Sequence, residues 1–238
     1  WRMTLDEIAE EEVPSRPTDE DGTEPAPRRR DFADRIRDEG GFGLTHVGKI
    51  QRKDGSSFSV EDAKRIEEAL YWFLSFACGR WVAPALAVGF DASETRVWDQ
   101  WRDWRIERWR TVDSWFNTHS RQGLEGTFPG FSRRWNDSLW REPIKLALHW
   151  YVEANLCAGG VEGGIILACT AFDLIAWTLF VEERHEFTAK EFNDSMTFER
   201  KMTLLLGEIH ASVVLPMDLP ELSSLAQSFS WSDGPKAL

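Results

Sequence analysis

The chain has 238 residues, of which 42% are hydrophobic and 13% aromatic, and it carries a formal net charge of −12. This composition predicts a globular protein with a substantial core in one or two domains. The acidic surplus gives nucleic-acid binding no support from bulk charge. The 13 tryptophans favour a mainly structural use of large aromatic rings.

Residues 1–40 are acidic and rich in proline, with few large apolar side chains. Such a segment cannot bury enough surface to offset its ordering entropy, and it is predicted to be a flexible linker. The next segment, residues 41–112, indicates an α+β part. It opens with alternating residues 44–52, a turn at Lys53–Ser56 and a second short strand from Ser57, which is typical of a β-hairpin.

A helix is predicted to follow this hairpin. Ser59 and Asp62 have capping-box spacing, and Gly79 is a plausible stop after an apolar stripe. Residues 81–110 then resemble short strands, and the aromatic run from Trp104 to Trp109 is predicted to be the last of them.

Residues 113–238 are predicted to form a helical bundle, so the fold class is α+β and predominantly α. The run from Trp231 to Leu238 resembles the approach to a further element, and the bundle is therefore expected to be incomplete at the C-terminus. The predicted helices are 115–123, 143–157, 162–182, 189–210 with a break near Asn193, and 219–227.

The second and third of these helices are joined by a short glycine-rich stretch, which predicts an antiparallel pair. The third is apolar on nearly all sides and is expected at the centre of the bundle. Its apolar run, 163–181, is also long enough to cross a membrane, which leaves a membrane-associated hairpin as an alternative. Asp173 would be costly at a bilayer centre, so a central helix without membrane contact is favoured.

Four polar residues on these helices are candidate supporting residues. Counting back from the glycine-rich turn brings Asp173 level with His149, and such a pair is either a proton-handling site or a satisfied core ion pair. Glu153 lies four residues after His149 as a helical neighbour, and Asn155 continues the same stripe.

Arginine alternates with tryptophan between Arg96 and Arg110, a composition typical of a groove that stacks single-stranded nucleic acid. The same stretch holds Asp99, Asp103 and Glu107, which would pair with the arginines and repel phosphate. Arginine stems packed on structural tryptophan rings are the alternative.

Other site types lack their motifs. The sequence contains no P-loop, nucleophile elbow, dinucleotide fingerprint or metal-ligand spacing, so neither a cofactor nor a metal is expected. The three cysteines have no CxxC spacing and lie in apolar stretches. They indicate reduced thiols and a cytoplasmic protein.

Several stretches resemble a group of uncharacterised bacterial proteins related to the anti-phage protein ApeA, which has a C-terminal HEPN-like helical domain. The stretches are Thr45–Phe58, Phe73–Trp81, Val88–Asp91 and Trp150–Asn155. The resemblance implies an HEPN-like bundle with Asp173 on its core helix, and a homodimer.

In that family an Arg followed four to six residues later by a His cuts RNA, and no such pair occurs within residues 1–238. The resemblance therefore implies a metal-independent ribonuclease only if the motif follows residue 238. The expected function is an RNA-cleaving or RNA-binding protein of phage defence or toxin type. The alternative is a non-catalytic scaffold or partner-binding module whose tryptophan-rich α+β part recognises a ligand or protein.

Overall fold

Helices dominate the computed structural model of the chain, and two antiparallel strand pairs accompany them in the described part. The predicted class, α+β and predominantly α, is confirmed. The contacts divide the chain into two units, residues 1–178 and 179–238. The structure describes the backbone of residues 2–7 and residues 34, 36–38, 40–110, 112, 114, 115, 122–157 and 159–209.

The first strand pair differs from the predicted hairpin. Strand β1 (Arg2–Glu7) pairs antiparallel with β2 (His46–Gln51), so part of the predicted linker forms a strand. The turn after β2 does form, because the Gly55 N–H donates to the Arg52 carbonyl at 3.0 Å. The prediction that the chain returns as a strand at Ser57 is wrong, since Ser59 already caps the next helix.

Helix α1 (Val60–Cys78) confirms the predicted boundaries. The Ser59 hydroxyl accepts from the Asp62 N–H at 3.1 Å, and the Asp62 carboxylate accepts from the Ser59 N–H at 3.2 Å. These two bonds satisfy helix donors that have no partner within the helix. Gly79 ends the helix in the left-handed region at φ 63°.

The second strand pair is a hairpin of β3 (Ala87–Phe90) and β4 (Arg96–Gln100). The predicted strand from Trp104 to Trp109 is wrong. The backbone of this stretch makes isolated hydrogen bonds to two different segments and no ladder with one partner strand. The Glu107 N–H donates to the Trp81 carbonyl at 3.0 Å, and the Trp109 N–H donates to the Gly41 carbonyl at 2.6 Å. Residues 101–110 therefore cover the end of α1 as an irregular segment.

The remaining elements are helical. The predicted helix pair and the break near Asn193 are confirmed, whereas the helix with Pro129 inside it was not predicted. Part of the predicted helix 115–123 and all of 219–227 lie outside the described residues. The elements are α2 (Gln122–Trp135), α3 (Arg141–Leu156), α4 (Gly160–Trp177), a π-helical turn (Thr178–Glu183), another (Glu191–Ser195) and α5 (Phe198–Glu208).

Helix α4 packs mainly against α3, and the two approach closely where Gly164 meets Ala154. A Cβ at Gly164 would lie 3.2 Å from the Ala154 carbonyl oxygen. The expected central position of α4 is wrong, because Val161, Ile165 and Ile166 are exposed. Among the described residues, the helical stretch Gly160–Glu183 has the length and apolar composition that a membrane span needs, which by itself is weak support for one.

Candidate functional site

Three of the four predicted polar residues lie on α3 and reach the segment that follows α1. The Glu153 carboxylate accepts from the indole N–H of Trp81 at 2.9 Å and forms an ion pair with Arg105 at 2.6 Å. The His149 ring lies 5.7 Å from the Trp81 ring, measured between centroids. Both residues therefore surround Trp81, which is only 2% exposed.

Asn155 fixes the end of α1. Its side-chain amide donates to the Gly79 carbonyl at 3.2 Å, and its own backbone carbonyl accepts from Arg110 at 3.4 Å. A Cβ at Gly79 would lie 2.9 Å from this amide, so glycine is required both by the backbone conformation and by the close approach. Asn155 is thus a positioning residue.

Asp173 lies on α4 and is half-buried. Its predicted pairing with His149 stays a prediction. The structure gathers His149, Glu153 and Asn155 around Gly79–Trp81 and places Asp173 on the neighbouring helix.

A stack of aromatic rings connects α1 with the irregular segment 101–110. Tyr71 stacks on Trp81 at 5.6 Å and on Trp104 at 4.5 Å. The guanidinium of Arg105 lies 5.2 Å from the Trp81 ring, and that of Arg102 lies 4.4 Å from the Trp104 ring. The second alternative for this arginine and tryptophan segment, arginine stems on structural rings, is confirmed.

A small cavity opens beside this stack. We call it the Trp101 pocket; its volume is about 200 Å³, and it is lined by Glu67, Leu86, Gln100, Trp101, Arg102 and Trp104. Helix α1 supplies Glu67, and the end of β4 with the residues after it supplies the other polar groups. Trp101 is 78% exposed and forms the rim.

Two residues that line this pocket each have a buried side-chain oxygen that accepts no hydrogen bond from the protein: Oε2 of Glu67 and Oε1 of Gln100. Glu67 is only 7% exposed. Its nearest cation, Nη1 of Arg102, lies 3.8 Å away, which is too far for a hydrogen bond. Burial raises the pKa of Glu67, and Arg102 offsets this only in part.

Such atoms are rare in folded proteins, since buried polar groups are nearly always paired. An unpaired buried acceptor costs about 1 to 3 kcal/mol. Both acceptors belong to residues that line one cavity, where a ligand with N–H groups or an ordered water supplies the missing donors. The pocket therefore has the chemistry of a binding site.

The sequence carries one signal for this pocket, at Glu67. Glu67 lies three and four residues before Leu70 and Tyr71, so the helical period places its carboxylate on the buried face of α1. Gln100 gave no comparable signal, because its burial depends on the distant packing of β4 and segment 101–110.

Among the described residues, no group of three or more His, Cys, Asp or Glu side chains is arranged to hold a metal ion. Comparison with known proteins gives a clearer result. Residues 24–112 match the YopA central domain, and residues 137–238 match the YopA C-terminal domain.

The chain is similar to YopA. The SPbeta prophage-derived uncharacterized protein YopA of Bacillus subtilis (strain 168) is 26% identical over 202 residues, which cover 85% of this chain and 44% of the relative. The chain thus spans less than half the length of this curated YopA. No solved structure matches the chain. The Trp101 pocket lies entirely within the part that matches the YopA central domain.

The predicted kinship with ApeA-related proteins is wrong. The matching families are the two YopA domains, with no match to ApeA or to an HEPN family. All four stretches that suggested the resemblance lie inside the YopA matches. They are short patterns of common residues that carry no catalytic motif, which is why they misled.

Proposed function

We propose that this chain is a non-catalytic binding module of a phage-associated protein and that the Trp101 pocket is its binding site. The similarity to a prophage-derived protein supports the phage association. One observation carries the binding function: Glu67 and Gln100, each with a buried side-chain oxygen that accepts no hydrogen bond, line a cavity that an exposed tryptophan borders.

Energetics favour binding over a structural explanation of these acceptors. A folded protein gains nothing from leaving Glu67 and Gln100 unpaired, because each desolvated acceptor opposes folding. Binding sites retain this kind of cost, since the same groups become favourable once a complementary ligand arrives. The exposed ring of Trp101 adds a large rigid contact surface with few rotatable bonds.

The ribonuclease hypothesis loses its basis, since it rested on the HEPN resemblance. Contact with RNA, a homodimer, the absence of membrane contact and a cytoplasmic location stay predictions. The thiols of Cys78, Cys157 and Cys169 form no disulfide with one another.

Site-directed photo-crosslinking in bacterial cells tests the binding function. A photoreactive amino acid is placed at Leu86, an exposed residue of the pocket, in the full-length protein. The matched control is Val97, which is also exposed but does not line the pocket. Intact mass and peptide mapping then identify any adduct.

We expect an adduct at position 86 and none at position 97, and we expect Trp101→Ala to abolish it. Equal adducts at both positions, or an adduct at position 86 that survives Trp101→Ala, would contradict a specific site. The absence of any adduct, together with no binding in the titrations described below, would remove the proposed function.

A further inference from the structure

We infer that the Trp101 pocket binds a guanine base, as part of a nucleoside or mononucleotide. This inference rests on the proposed binding function and names its ligand. It is carried by the polarity of the pocket, by the position of one arginine and by the size and shape of the cavity.

The hydrogen-bonding pattern decides among planar ligands. Oε2 of Glu67 and Oε1 of Gln100 both need donors. Guanine presents two neighbouring donors on its pairing edge, the ring N1–H and the exocyclic amino group. The pairing edges of adenine, cytosine and uracil each place an acceptor next to a donor, so they would set a lone pair against one of these oxygens.

Arg102 favours a neutral base over a cationic ligand. Its guanidinium packs on Trp104, and Nη1 lies 3.8 Å from the Glu67 carboxylate. This separation leaves a donor available beside the Glu67 carboxylate. The guanine carbonyl next to N1–H would accept from it, whereas an arginine or lysine side chain from a partner would meet a like charge.

Size and surface character agree with a single base. A cavity of about 200 Å³ is smaller than the roughly 300 to 1,000 Å³ of sites for drug-sized ligands. Its other walls include the apolar side chains of Pro84, Ala85 and Ile106, and the Trp101 ring is free to stack. The net charge of −12 favours a mononucleotide over a long polyanion.

Calorimetric titration of the 238-residue chain with GMP, IMP and AMP tests this assignment. The three ligands share ribose and phosphate, so differences in affinity report the base alone. IMP lacks only the exocyclic amino group of GMP. We expect GMP to bind about 10-fold more tightly than IMP or AMP, because each analogue leaves one buried acceptor unpaired.

Matched variants separate recognition from stacking. Glu67→Gln is expected to lower GMP affinity about 10-fold and to bring the GMP to IMP ratio close to one, without lowering the melting temperature. Glu68→Gln is the control, since Glu68 bonds to Lys145 and does not line the pocket. Trp101→Ala should weaken all three ligands by about 10-fold, because stacking is indifferent to the base.

Several outcomes would overturn the guanine assignment. These are equal affinities for GMP and IMP, no effect of Glu67→Gln, or tighter binding of N-acetyl-arginine amide than of GMP. If GMP fails while the adduct at position 86 depends on Trp101, the guanine assignment is overturned and the binding function stands. If titrations and crosslinking both fail, both proposals fall.

Discussion

Replacing Glu153 by alanine removes the acceptor that two donors share. The indole N–H of Trp81 would then be unpaired in a residue that is only 2% exposed. An unsatisfied buried donor costs about 1 to 3 kcal/mol. The lost ion pair with Arg105 adds at most about 1 kcal/mol, since that side chain is half exposed.

Glu153→Gln is the matched variant, because glutamine keeps an oxygen that can accept from Trp81. We expect Glu153→Ala to lower the free energy of unfolding by about 2 kcal/mol, and Glu153→Gln by less than about 1 kcal/mol. For a chain of this size, 2 kcal/mol corresponds to a fall of about 4 to 8 °C in melting temperature. Urea unfolding followed by circular dichroism measures the free energy of unfolding, and thermal unfolding followed by the same signal measures the melting temperature.

A double-mutant cycle isolates the indole bond. Trp81→Phe removes the N–H while keeping an aromatic ring, so the cost of Glu153→Ala should shrink by about 1 to 2 kcal/mol in that background. Additive costs, or equal destabilisation by the alanine and glutamine variants, would refute the view that Glu153 stabilises the fold by satisfying Trp81.

Three further predictions concern single groups. Burial raises the pKa of Glu67, so the folded state binds a proton on this carboxyl more tightly than the unfolded state does. Glu67→Gln should therefore raise the free energy of unfolding near neutral pH. Urea unfolding at several pH values should show that this gain disappears below the usual pKa of glutamate. Burial also raises the pKa of Tyr71 to about 12. The variant Tyr151→Phe leaves Tyr71 as the one tyrosine, so the absorbance of tyrosinate should develop only near pH 12. Absorbance that develops around pH 10 would contradict the burial of Tyr71. Ser59→Ala should cost about 1 kcal/mol in urea unfolding because it removes the N-cap of α1, whereas Ser57→Ala, at an exposed position before the helix, should change little.

Features that depend on a few neighbouring residues could be predicted from the sequence. The capping box at Ser59, the glycine end of α1, the helix pair α3 and α4 and the break before α5 are of this kind. Their signals are local, since a cap needs only the side chain three residues away. The fold class followed from the same signals.

Features that depend on distant pairing could not be predicted. Strand β2 finds its partner in β1, about forty residues earlier in a stretch of low hydrophobicity. Trp104–Trp109 has the composition of a strand, but its backbone bonds to two separate segments. β-propensity measures how well a side chain fits a pleated surface, so it does not settle which backbone partner is available.

In the candidate site, too, local spacing could be predicted from the sequence, whereas contacts between distant residues could not. Glu153 was identified through its helical spacing from His149, and it does lie at the centre of a polar contact. Its partner is nevertheless Trp81, which is 72 residues away in sequence. Glu67 was not among the predicted site residues, although its spacing from Leu70 and Tyr71 places it on the buried face of α1.

The irregular segment 101–110 explains why stability and binding should be separable in this chain. Arg105 pairs with Glu153 of α3, and Arg110 pairs with Glu107 and donates to the Asn155 carbonyl of α3. These contacts hold the segment against α3. Those side chains are not available to follow a phosphate backbone, which argues against a groove for a nucleic-acid strand. Trp101 lies outside this network and is largely exposed, so its removal should leave the fold intact. This arrangement favours a pocket that binds one planar group. The pocket lies beside a core whose stability does not depend on Trp101.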